Sequence, residues 1–102
     1  MKLLFACLPF VMLAGAAAAQ NAAVTDSAVA CRSVADIKKA YDLQAKSAAA
    51  ADTFVKGKES SGACQRLVRG LKVTIEQKQP PFSCVRLSGD FDCYWIMGTV
   101  VE

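Results

Sequence analysis

Four cysteines, Cys31, Cys64, Cys84 and Cys93, lie downstream of an amino-terminal stretch that reads as a secretory signal, and this combination constrains the fold of the 102-residue chain more than any other feature. An even number of thiols in a short exported protein predicts a disulfide framework, because an oxidising compartment lets them pair and a small core needs covalent help. Lys2 precedes an uncharged apolar run from Leu3 to Leu13, and Ala17-Ala18-Ala19 then supplies the small residues a signal peptidase accepts. This order predicts a signal peptide over residues 1–19, cleaved before Gln20. The run is shorter than the roughly 20 apolar residues of a bilayer span, so the mature chain is expected to have no membrane span. Cys7 lies inside the run and leaves with it.

The 54% apolar fraction and positive mean hydropathy owe much to this segment. Without Lys2 the formal charge falls from +3 to +2, with 11 Lys and Arg against 9 Asp and Glu. So small a surplus provides no basic stripe of the kind nucleic-acid binding requires. A short charged start and an alanine-rich cleavage zone point to a periplasmic or secreted protein.

The mature chain is long enough for one domain, and chains of this size bury too little surface to be stable without staples. Residues 20–30 are small and polar without an apolar period and read as a flexible leader. Residues 31–102 read as a single small disulfide-stapled domain of the α+β class, helical over 33–58 and β over 66–102. Val34, Ile37 and Tyr41 recur on one helix face, and Ala48–Ala51 have high helix propensity. Gly57 and Ser60-Ser61-Gly62 are expected to end the helical region. A break near Lys46-Ser47 would give a helical hairpin that returns Cys64 towards Cys31. Leu71, Val73 and Ile75 then alternate with polar residues, as in a half-buried strand ended by Pro80-Pro81. Phe82–Leu87 and Asp92–Met97 complete an antiparallel meander.

With Ser88-Gly89 as the two central residues of a hairpin turn, Cys84 lies opposite Cys93 and Phe82 opposite Trp95. Four cysteines allow three connectivities, and this layout favours Cys31–Cys64 with Cys84–Cys93. The register also sorts the side chains. Phe82 and Trp95 share the disulfide face, and Val85, Leu87, Tyr94 and Ile96 share the other. An open disulfide face would present Trp95, Phe82 and the stem of Arg86 as a binding surface, whereas a curled sheet would bury both faces.

The chain has no histidine, the commonest general base and metal ligand, and no Cys-x-x-Cys pair. Asp90 and Asp92 flank Phe91 and read as turn residues rather than as an acid–base pair or calcium ligands. Arg66, Arg69, Lys72 and Arg86 read as solvated positions. The expectation is a protein that is not an enzyme, with no catalytic residue, metal site or cofactor.

Leu67-x-x-Gly70-x-x-Val73, with Val85 in a second strand and Tyr94-Trp95-Ile96 in a third, resembles the meander of bacterial SH3-like domains. The layout is also similar to small exported bacterial proteins in which a cysteine-flanked helical hairpin ends at Ser-Gly-x-Cys, here Ser61-Gly62-Ala63-Cys64, before an SH3-like meander. The resemblance implies an SH3-like sheet and binding of a peptide or the cell wall. The expected function is therefore a non-enzymatic interaction module for an envelope protein, peptide or peptidoglycan. The alternative is a secreted effector or inhibitor of a host-associated bacterium, acting outside the cell.

Overall fold

A computed structural model describes residues 19–102, so the expected signal segment lies outside the described residues apart from Ala19. The elements are β1 (Gln20–Ala23), β2 (Ala28–Cys31), α1 (Val34–Lys46), α2 (Ala48–Ser61), β3 (Cys64–Leu67), β4 (Lys72–Gln79), β5 (Phe82–Leu87) and β6 (Tyr94–Met97). A short 3-10 turn, Gly98–Val100, comes after β6. The strands form one antiparallel six-stranded sheet in the order β1-β4-β5-β6-β2-β3, joined to two helices and two disulfides in an α+β fold.

Residues 20–30 are not a flexible leader. Gln20 lies opposite Ile75 and Ala28 opposite Leu67, so the β1/β4 and β2/β3 ladders share one register. Backbone bonds from Val24 N–H to the Leu71 carbonyl (2.9 Å) and from Gly70 N–H to the Val24 carbonyl (2.7 Å) join them. The first strands are thus one half of a long bent ribbon. Their alanines carry little strand propensity, and pairing with β3 and β4 supplies the order that local sequence does not.

The two ladders stand at opposite ends of the strand order yet are joined by short connections, so the sheet must curl on itself. The curl encloses one core of Val24, Ala30, Leu67, Val73, Ile75, Val85, Tyr94, Ile96 and Val101. The carboxy-terminal residues add to the closure, with Val24 bridged to Val101 and Ala23 exchanging backbone bonds with Glu102. On the outer face the helices cover a second cluster of Cys31, Ile37, Cys64 and Phe82, against which Tyr41, Trp95 and Met97 pack. Both faces are therefore covered.

Each helix begins at a serine. Ser33 Oγ accepts from Asp36 N–H (3.1 Å) and Ser47 Oγ from Ala50 N–H (3.2 Å), each satisfying a donor that a helix start leaves unpaired. The break expected near Lys46-Ser47 falls at Ser47, which ends α1 and caps α2. The expected end at residue 58 is corrected to Ser61. An interior glycine such as Gly57 costs only about 1 kcal/mol, which does not stop a helix capped at both ends and packed through Ala51 and Val55. The stop is Gly62, left-handed at φ 81°, where Ala63 N–H returns to the Lys58 carbonyl (2.9 Å). The two helices enter the fold as one insertion between β2 and β3. Its neck is closed by the Cys31–Cys64 disulfide and by Arg32 N–H donating to the Ala63 carbonyl (2.8 Å).

Candidate binding site

The expected register of β5 and β6 is corrected by two residues. Cys84 lies opposite Trp95, not Cys93, and Phe82 lies opposite Met97. The two-residue hairpin turn gives way to a six-residue loop, Ser88–Cys93. A shift of two keeps every side chain on its own face, because strand side chains alternate with period two. That is why the expected partition holds, with Val85, Leu87, Tyr94 and Ile96 inside and Phe82 and Trp95 on the disulfide face. Cys93 reaches Cys84 from just outside β6, with Cα atoms 5.3 Å apart, within the ordinary disulfide range.

The three residues expected to form an open binding surface do not do so. Phe82 is only 6% exposed and lies beside the Tyr41 ring, centroid to centroid 6.0 Å. Trp95 is half-buried against the outer cluster. Arg86 is half-buried and its Nε donates to Glu76, at the irregularity that displaces the β4 register. The disulfide face is occupied because the helical insertion leaves the sheet at Cys31 and folds over the same side.

Among the described residues the exposed aromatic side chain is Phe91, 98% accessible at the tip of the Ser88–Cys93 loop. Single exposed apolar residues are common and need no explanation by themselves. Phe91 differs in how its loop is held. At one end Asp90 N–H donates to the Leu87 carbonyl (3.1 Å) across a turn whose Gly89 sits at φ 88°, a conformation glycine adopts without strain. At the other end Cys93 is bonded to Cys84. Beside it, Arg32 stacks over Tyr94 at 5.1 Å, donates from Nε to the Gly62 carbonyl (3.1 Å) and from Nη1 to Asp92 Oδ2 (3.3 Å). The Arg32–Asp92 pair is 52% and 75% exposed, so it orients the loop while adding little to stability. The sequence signal for this site was Asp90-Phe91-Asp92 itself, an aromatic residue inside a polar turn.

A concavity of about 750 Å³ runs between the helices and β2, lined by Ala28, Ala40, Tyr41, Ala51, Asp52 and Arg66. Burial raises the pKa of the Tyr41 hydroxyl above its ordinary value. A raised folded-state pKa means that the neutral phenol is favoured by folding. Its contribution is fully present below the unfolded tyrosine value and is lost as pH rises through the folded one. A difference ultraviolet titration of wild type against Tyr41→Phe should show this group ionising above the usual tyrosine range. A midpoint at or below that range would contradict its burial.

Among the described residues no group of three or more Cys, Asp or Glu is placed to hold a metal ion, and no helix is long and apolar enough to cross a membrane. All four cysteines of this region are disulfide-bonded, which suggests an oxidising, extracytoplasmic environment. No family model, curated protein or solved structure matches the chain. Fold and site define it as a small, doubly stapled α+β domain that holds one aromatic side chain out into solvent.

Proposed function

We propose that the protein is a non-enzymatic exported module, periplasmic in its setting, that binds an envelope protein, a peptide or the cell wall through Phe91. The observation that carries this reading is a fully exposed aromatic ring on a loop already held in one shape. Burying a phenylalanine ring is favourable by about 1.5 to 3 kcal/mol, and a pre-ordered loop loses little freedom on association. Aromatic anchors of this kind dominate many interfaces. The proposal extends to the fold, as an SH3-like meander carrying a helical hairpin. It is supported by the curl of the sheet around one core, and by the Lys58–Asp36 ion pair (3.4 Å) joining the end of α2 to the start of α1.

A photoreactive phenylalanine analogue at position 91, installed in the producing cell, should give a discrete adduct with one partner. The same analogue at Val68, the other large exposed apolar position among the described residues, should not. Incubation of the purified protein with peptidoglycan sacculi tests the cell-wall arm. Phe91→Ala should weaken whichever association is found by about tenfold to a hundredfold, a loss typical of an interface anchor. Equal adducts at both positions, or binding indifferent to Phe91→Ala, would remove the loop as the site.

A further inference from the structure

We propose that the Cys84–Cys93 disulfide is a thiol-exchange site, opened by a dithiol reductant that attacks Cys93 Sγ, while Cys31–Cys64 stays closed. The two bonds differ in access. Cys31 and Cys64 are 0% and 2% exposed, face each other across β2 and β3, and lie in one cluster with Ile37 and Phe82. A thiolate has no path to either sulfur. Cys84 is also closed off, at 0% exposure on an inner strand, but Cys93 is only partly buried, at the end of an irregular loop. Exchange requires access to the sulfur attacked, and of the four residues Cys93 alone is not buried.

Reduction proceeds by two exchanges. In the first, one thiolate of the reductant forms a bond to Cys93 Sγ, and Cys84 Sγ leaves with the electron pair of the broken S–S bond and takes a proton from solvent. The reductant's second thiolate then attacks its own sulfur in the mixed disulfide, and Cys93 Sγ leaves and is protonated. The protein gains two electrons and the reductant becomes a disulfide. Cys84 remains in place on β5, so reoxidation has only Cys93 to bring back.

The opening has a local consequence. Residues 88–93 take part in no strand ladder, so once the bond is open the loop is held only by its turn and by the Arg32 contacts. Phe91 then loses its fixed position while the insertion neck at Cys31–Cys64 remains intact. Exchange at Cys93 does not depend on whether Phe91 binds a partner.

The folded mature protein supplies its own reporter. The single tryptophan, Trp95, lies in one cross-strand row between Cys84 and Cys31, and disulfides quench indole emission. Dithiothreitol should raise Trp95 fluorescence in two steps, and alkylation with peptide mapping should place Cys84 and Cys93 in the first, at least about tenfold faster than Cys31 and Cys64. Reduced glutathione, quenched early, should leave its adduct on Cys93. Hydrogen exchange after the first step should be faster at residues 88–93 and unchanged in β4 and β5. The Cys84→Ser, Cys93→Ser double variant should fold with the same loop mobility. Simultaneous opening of both bonds, prior opening of Cys31–Cys64, an adduct on Cys84, or a double variant that does not fold would each overturn the proposal.

Discussion

Replacing Cys31 and Cys64 together by serine should lower the thermal midpoint by roughly 15 to 30 °C, the expected shift for a loss of about 3 to 4 kcal/mol in a domain this small. The bond joins residues 33 apart in sequence, against 9 for Cys84–Cys93, and a longer closed loop removes more freedom from the unfolded chain. The loop-entropy difference alone is about 1 kcal/mol. Position widens it. Cys31–Cys64 closes the neck of the helical insertion, and the double replacement leaves two hydroxyls in an apolar cluster, whereas the Cys84 and Cys93 pair leaves one buried and one near solvent. Thermal melts of the two double variants should therefore rank Cys31/Cys64 as the more damaging. The opposite ranking would contradict either the loop model or the packing at the neck.

Trp95→Ala should cost about 2 to 4 kcal/mol, less than a fully buried tryptophan because the residue is only half-buried. The ring lies between the two disulfides in one cross-strand row and packs against the cluster beneath α1. Truncation opens a cavity where the sheet, the insertion and both staples meet. Phe91→Ala, by contrast, removes a side chain with almost no contacts and should change stability by less than about 0.5 kcal/mol. Chemical denaturation of the two variants separates a packing role from a recognition role. A stable Trp95→Ala and an unstable Phe91→Ala would reverse the assignment of core and site.

The division of aromatic residues was legible in the sequence because it depends on side-chain parity, and the Cys31–Cys64 pairing because a break near Ser47 turns the helical segment back towards Cys31. Strand alternation put Cys84, Phe82 and Trp95 on one face whether the turn held two residues or six, since a slip of two leaves the faces unchanged. The first helix start, expected at 33, was legible because capping is a local hydrogen bond between neighbours in sequence, and the same bond at Ser47 fixes the start of α2 at the expected break. The same locality explains the misreading at Gly57. A glycine weakens a helix locally, and the packing of Val55 and Ala51 that outweighs it is not visible in the residues around it.

The exposed surface was not legible. Whether Phe82 faces water depends on which side of the sheet the helical insertion covers, and that is decided by where the chain leaves β2 and re-enters at β3. Residues 20–23 and 28–30 became strands for a similar reason. Their small side chains have no period of their own, and they are ordered by ladders with β3 and β4, more than 30 residues away in sequence. The sequence by itself thus determined the class and the faces, set by composition and near-neighbour spacing, and favoured one disulfide pairing among three. Only the tertiary structure decided the curl of the sheet, the burial of Trp95 and Phe82, and the projection of Phe91, because each depends on contacts between segments far apart in the chain.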